Sequence, residues 1–287
     1  MESVGKVIKS FKHELADIYP STEIKSITEI VMEHYLKLSK TGLISQADNI
    51  LTDSEIRNFE NVLNRLKNNE PLQYILGETY FYDLKFNVKP EVLIPRQETE
   101  ELVDWIIKDN QKNIPLNIVD IGTGSGCIAV ALAANIKNAV VSAYDVSIEA
   151  LKIAKSNAEL NQINVQFIEK DILRSTNLIE NQQFDIIVSN PPYVLEKEKN
   201  LMAKNVLEFE PELALFVKDD DPLLFFKAIA DYSAINLKEG GYLYFEINEA
   251  YGKPIENLLK DKGFKNIELR KDLNGRNRMI RATNNMH

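Results

Sequence analysis

The residues with the most chemistry in them are Asn190-Pro191-Pro192-Tyr193, which follow the apolar run Phe184-Asp185-Ile186-Ile187-Val188-Ser189. A carboxamide braced by two prolines suits work on a flat nitrogen, that of an amide or an aromatic amine, whose delocalised lone pair makes it a poor nucleophile. If the Asn190 carboxamide oxygen and the Pro191 carbonyl each accept one N–H of that group, they hold the nitrogen and turn its lone pair toward an incoming methyl carbon. Both prolines lack an N–H, and their fixed φ stiffens the loop that aims the acceptors. Tyr193 offers a ring to lie on the flat face of the substrate. In-line attack then rests on proximity and alignment, with no obligatory general base, metal or covalent intermediate. A rigid turn that merely ends a strand is the competing reading of the same tetrapeptide.

A second site upstream favours the chemical reading. In Ile118-Val119-Asp120-Ile121-Gly122-Thr123-Gly124-Ser125-Gly126 an apolar strand runs into three alternating glycines, and Cys127–Ala134 continues as a helix. Such a turn at the carboxyl end of the first strand of an open sheet sets bare N–H groups and a helix N-terminus beside a nucleoside. A dinucleotide fingerprint needs glycine where Cys127 stands, so the spacing leans toward an adenosine without phosphates. Asp145, 23 residues after Gly122 (145 − 122), ends the next strand, where a carboxylate can accept from both ribose hydroxyls. Asp171 is placed to accept from an adenine amino group, with Ile172 against the ring; a simple turn aspartate is the alternative there. Asp120 orients the loop, faces a positive sulfonium, or is a buried carboxylate satisfied by backbone N–H groups. Cys127 packs as a small apolar residue.

These loops need a scaffold, and the periodicity supplies one. Val7, Ile8, Phe11 and Leu15, then Ile24, Ile27, Val31 and Tyr35, recur at helical spacing. A third helix starts at the capping box Thr52/Glu55 and is expected to close at Pro71. Residues 73–95 read as a hairpin or linker punctuated by Gly77, Pro90 and Pro95. From Thr99 onward helices and strands alternate: strands Leu116–Ile121, Ala139–Asp145, Val165–Asp171, Phe184–Ser189 and Gly241–Ile247, with helices between. Asp221 and Pro222 are expected to open one of those helices. The alternation predicts a parallel α/β sheet covered on both faces. Ile267–Arg270 and Arg278–Arg281, separated by Asn274 and Gly275, predict an antiparallel C-terminal hairpin at its edge. The organisation expected is a helical domain over 1–72, the hairpin or linker over 73–95 and the α/β domain over 96–287.

Composition sets the limits. The 287 residues carry 44% hydrophobic and 27% charged side chains, which suits a chain of about two domains able to bury a sizeable core. A formal net charge of -9 disfavours nucleic acid as a partner. One cysteine, no signal-like N-terminus and no apolar run near 20 residues point to a cytoplasmic protein without disulfide or membrane span. His13, His34 and His287 fall outside the expected site, and no metal cluster is evident. Glu196-Lys197-Glu198-Lys199 reads as a solvated loop able to fold over a substrate.

Together these residues resemble the peptide chain release factor glutamine N5-methyltransferases. The likeness spans the helical N-terminus, Pro71, Tyr74, Gly77 and Phe81, the run Leu93-Ile94-Pro95-Arg96-Gln97-Glu98-Thr99-Glu100, the glycine turn, Asn190-Pro191-Pro192-Tyr193, Glu210-Pro211 with Ala214-Leu215, and Asp272-Leu273-Asn274-Gly275-Arg276-Asn277-Arg278. The tetrapeptide is shared with adenine N6-methyltransferases; the run ahead of the glycine turn is more specific to the release factor group. The resemblance implies a Rossmann-like class I methyltransferase fold. It implies that Gly122, Thr123, Gly124, Ser125, Gly126, Asp145, Asp171, Ile172 and Asn190 contact S-adenosylmethionine, leaving S-adenosylhomocysteine as product, and that Asn190 to Tyr193 hold a substrate glutamine. The partner implied is a class 1 release factor through its Gly-Gly-Gln motif, gripped with help from the N-terminal helices. Gln97 departs from a usual proline and Ile172 from a frequent aromatic. The rival readings are adenine N6 methylation of DNA or RNA, and a catalytically idle cofactor-binding partner of translation.

Overall fold

The computed structural model describes residues 2–110, 114–175, 178–179 and 183–285. Two units emerge, Met1–Gly77 with Ala203–Phe209, and Glu78–Met202 with Glu210–His287. In the first, α1 (Val4–Glu14), α2 (Ser21–Leu36), α3 (Lys40–Ser45), α4 (Asp53–Lys67) and α5 (Leu72–Leu76) follow in order. Their apolar stripes meet in a core containing Phe11, Val31, Phe59 and Leu66, where Phe59 stands edge-on to both Phe11 and Tyr35. The capping box is formed: Thr52 Oγ1 accepts from the Glu55 N–H (3.3 Å), and the Glu55 carboxylate accepts from the Thr52 N–H (2.7 Å).

Pro71 does not close the third long helix, which stops at Lys67. It opens one more turn, α5, because a proline at a helix start gives up an N–H that would go unpaired anyway. Arg65 explains why the chain reverses there. Its guanidinium pairs with Glu70 and donates to the carbonyls of Tyr74 (3.4 Å) and Ile75 (3.2 Å), stapling α4 to α5. The helical unit consequently runs to Gly77, which ends it in a left-handed conformation (φ 73°), rather than to residue 72.

The second unit begins with the hairpin β1 (Glu78–Phe81) and β2 (Leu84–Asn87), joined by Tyr82 and Asp83, both at positive φ as a two-residue turn requires. There follow α6 (Gln97–Asp109), β3 (Leu116–Ile121), α7 (Cys127–Asn135), β4 (Ala139–Asp145), α8 (Ile148–Leu160), β5 (Gln166–Glu169) and β6 (Phe184–Ser189). Beyond β6 come β7 (Val194–Leu195), α9 (Lys204–Phe209), which lies in the first unit, then α10 (Glu212–Leu215) and β8 (Phe216–Val217), the last pairing with β7. The chain finishes with α11 (Leu224–Asn236), β9 (Leu237–Glu246), α12 (Gly252–Asp261), β10 (Lys265–Lys271) and β11 (Asn277–Thr283).

The main sheet has seven strands in the order β10-β11-β9-β6-β3-β4-β5, and only β11 runs antiparallel to its neighbours. Its central strands are apolar on both faces, as burial under helices on both sides demands. Ile118, Ile186 and Val188 face a cluster with α6 and α7, whereas Val119, Ile187 and Phe245 face one with α11 and α12. The expected C-terminal hairpin is present as β10 and β11. The expected start of α11 at Asp221-Pro222 is not: its cap is Leu223, and the Asp221 carboxylate takes a hydrogen bond from Lys227 (2.7 Å) instead. Among the described residues no helix is long and apolar enough to cross a membrane.

Candidate active site

Register brings three loops together. Ile121 lies opposite both Tyr144 and Ser189, so the residues that follow, Gly122, Asp145 and Asn190, leave the sheet side by side at its carboxyl edge. Ser189 Oγ donates to the Ile121 carbonyl (2.6 Å), locking the ends of β6 and β3 together. Above this edge opens a cavity of about 380 Å³, within the range of cofactor sites. Gly122 to Ser125, Asp145, Asp171, Ile172 and Asn190 to Pro192 line it, with Pro95, Arg96 and Thr99 from the approach to α6.

Gly122 (φ 76°) and Gly124 (φ 54°) are left-handed, and a Cβ on either would meet open space, so both present bare backbone to the cavity. Gly126 does something else. Although expected at the cofactor, it does not line the cavity; a Cβ there would sit 3.0 Å from the Ala154 Cβ, so its role is the close approach of α7 to α8. Thr123 Oγ1 donates to Asp120 Oδ2 (2.6 Å), fixing the turn from below. Asp120 is fully buried, its Oδ1 has no partner, and burial pushes its carboxyl up to about 7.

Asp145 is held by two backbone donors, Gly124 N–H to Oδ2 and Ser147 N–H to Oδ1, each 2.9 Å. Burial raises its pKa nonetheless. Asp171 makes its local turn, accepting from the Leu173 N–H (3.0 Å) and pairing with Arg174 (3.2 Å), and also lines the cavity. Ile172 is 9% exposed and presents a flat apolar wall.

At the chemical end the side chains form a chain of contacts. Asn190 Nδ2 donates to Thr99 Oγ1 (3.2 Å), Thr99 Oγ1 donates to Glu246 Oε2 (2.6 Å), and Tyr193 Oη donates to Glu246 Oε1 (3.0 Å). Asn190, Pro191 and Pro192 line the cavity; Tyr193 does not, and its ring packs against the α11/α12 side of the core with its hydroxyl on Glu246. Burial raises the pKa of both Glu246 and Tyr193. Arg96 pairs with the buried Glu210 at 2.5 Å, which steadies the segment leading into α6.

The fold and the loop chemistry agree with sequence kinship. The sequence model of the methyltransferase small domain matches residues 99–212, and that of the PrmC N-terminal domain matches residues 6–77. The release factor glutamine methyltransferase of Flavobacterium psychrophilum is 50% identical over 275 residues, covering 95% of this chain and 96% of that protein. That of Bacteroides thetaiotaomicron is 43% identical over 279 residues, covering 97% and 99%. This chain belongs to the release factor glutamine methyltransferase family. Among solved structures, the hMettl16 catalytic domain in complex with the MAT2A 3'UTR hairpin 6 superposes with a TM-score of 0.55 over 82% of this chain and 83% of that one, at 17% identity, a likeness of fold.

For a release factor glutamine methyltransferase the two departures noted in the sequence are structurally mild. Gln97 is the exposed first residue of α6, where proline is favoured but any residue can supply helical φ. Ile172 replaces a ring with a smaller apolar wall. Sequence reasoning placed Thr99 only within a family-specific run and overlooked Glu246. The signal that would have found Glu246 is a lone acid ending the apolar strand Tyr242-Leu243-Tyr244-Phe245-Glu246, since an acid is seldom buried without a partner.

Proposed function

We propose that this chain transfers a methyl group from S-adenosylmethionine to the side-chain amide nitrogen (N5) of the glutamine in the Gly-Gly-Gln motif of class 1 release factors. One observation carries the reading: Asn190-Pro191-Pro192 and the glycine turn line the same cavity, so an acceptor pair for a flat nitrogen stands beside a seat for a nucleoside. The names of the full-length relatives supply the choice of a glutamine in a release factor as the acceptor.

The residues present fit the cofactor. Gly122 and Gly124 leave room where a Cβ would intrude, Asp145 offers acceptors for ribose hydroxyls, and Asp171 with Ile172 offers an adenine a hydrogen-bond acceptor and a wall. Bound there, S-adenosylmethionine supplies an electrophilic methyl group on a positive sulfur. The chain's own part is positional. Asn190 Oδ1 and the Pro191 carbonyl take the two N–H groups of the glutamine amide, fixing the plane of the nitrogen and the direction of its lone pair. The prolines hold those acceptors still. The proton lost from nitrogen passes to solvent, so no dedicated base is required.

The test is methyl transfer from labelled S-adenosylmethionine to a purified release factor, to its variant with the Gly-Gly-Gln glutamine changed to alanine, and to duplex DNA. Label on the intact release factor alone is the expected result. Label on DNA alone would move the chain to adenine chemistry.

A further inference from the structure

A side-chain amide has a donor end and an acceptor end of nearly equal size, so Asn190 does its work only if something selects which end faces the substrate. Pro191 and Pro192 have no N–H with which to hold the carboxamide oxygen. From behind, the contact that distinguishes the two ends is Asn190 Nδ2 donating to Thr99 Oγ1 at 3.2 Å.

A hydroxyl has one proton, and where that proton points is decided by its stronger partner. Thr99 Oγ1 donates to Glu246 Oε2 at 2.6 Å and Tyr193 Oη donates to Oε1, so this carboxyl accepts at both of its oxygens. The Thr99 proton is therefore drawn to Glu246, leaving a lone pair for Asn190, which must turn its NH2 to Thr99 and its oxygen to the cavity. The other oxygen of the same carboxylate is taken by Tyr193 Oη at 3.0 Å, so both ends of the tetrapeptide hang from one buried acid. Glu246 and Thr99 are 1% and 2% exposed, and the charged groups that bear on Glu246 are Arg278, itself paired with Asp272, and Glu98.

We infer that Glu246, acting through Thr99, is a positioning residue that sets the polarity of the Asn190 carboxamide and so makes it an acceptor for the substrate N–H. Glutamine at position 246 keeps the shape but replaces one acceptor oxygen with a donor. If that donor faces Thr99, the hydroxyl is free to donate to Asn190, the amide can turn over, and an NH2 then opposes the substrate N–H. Valine at position 99 removes the relay while keeping its volume; serine keeps the hydroxyl.

This inference rests on the proposed glutamine chemistry, so wild-type turnover is measured first, on the release factor and on its alanine variant. No label on the release factor would remove that chemistry and the inference together. With wild-type turnover in hand, Glu246→Gln and Thr99→Val are each expected to lower kcat roughly 10- to 100-fold, as loss of one aimed polar contact to a reacting group does. The S-adenosylmethionine Kd should stay within about threefold and the release factor KM should rise less than kcat falls, because one amide contact is a small part of a protein–protein interface but sits at the reacting nitrogen. Thr99→Ser should retain turnover within about threefold of wild type, and the double variant should be no slower than the worse single one, since both break the same relay. The inference fails if either single variant keeps wild-type kcat, if Thr99→Ser falls as far as Thr99→Val, or if the losses multiply in the double variant. It fails equally if the whole effect is a fall in Tm and cofactor affinity, which would make Glu246 a structural acid only.

Discussion

In the proposed function Asn190 and Asp145 divide the labour of the site, one toward the nucleophile and one toward the cofactor, and single substitutions should separate them. Asn190→Ala removes an acceptor that matters most as the new bond forms, and is expected to abolish methyl transfer while cofactor Kd changes by less than about threefold. Loss of folding and cofactor binding together would mean that the tetrapeptide is a structural turn. Asp145 spends one oxygen on the Gly124 N–H and one on the Ser147 N–H, and each oxygen has a further lone pair for a ribose hydroxyl. Asp145→Asn turns one of those oxygens into a donor and leaves a backbone N–H facing it. Calorimetry should show cofactor Kd raised about tenfold or more, in line with one lost charge-assisted hydrogen bond. An unchanged Kd would show that Asp145 serves only the turn before α8.

At the scale of elements, the glycine turn contains two different demands that one motif hides. Gly126→Ala adds a Cβ 3.0 Å from Ala154 at a φ of 82°, so backbone strain and overpacking combine against the contact of α7 with α8. Together they should cost about 2 to 4 kcal/mol in denaturant unfolding. Gly124→Ala meets open space, so only the strain of φ 54° is felt, about 1 to 2 kcal/mol, and the larger effect should be on cofactor binding. Equal stability losses in the two variants would contradict this division. Much of the scaffold was legible because β3, β4 and β6 are apolar runs cut off by Gly122, Asp145-Val146-Ser147 and Asn190-Pro191, and sharp punctuation fixes strand ends. The short helices α3, α5 and α10, at four to six residues, are too brief to show a period. Gly126 looked like its neighbouring glycines because spacing says nothing of what a missing Cβ avoids. Thr99 and Glu246 stand 147 residues apart, and only the placement of α6 beside β9 brings a hydroxyl to that acid.

Over the whole molecule the site imposes an electrostatic cost on the fold. Asp120, Asp145 and Glu246 are carboxylates at one edge of one sheet, and burial raises the pKa of each. The sign follows from proton counting. A carboxyl whose folded pKa lies above its unfolded one binds more protons when folded, so stability falls as pH rises between the two values. For Asp120 that window runs from 3.8 to about 7. At about 1.4 kcal/mol for each pH step, the group opposes folding by nothing below the window and by up to about 4 kcal/mol above it. A net charge of -9 adds self-repulsion in the same direction. The protein without cofactor should therefore lose Tm from pH 5 to about pH 7 and level off above it, even though its surface ion pairs are intact throughout. Asp120→Asn keeps an oxygen for the Thr123 hydroxyl and removes the titration, so its Tm should fall much less over that range and exceed the wild type at pH 8. Parallel Tm profiles for the two proteins would show that Asp120 is ionised in both states. In the proposed function the positive cofactor lies beside these acids and offsets the cost, so the Kd of S-adenosylmethionine should be lower at pH 8 than at pH 5.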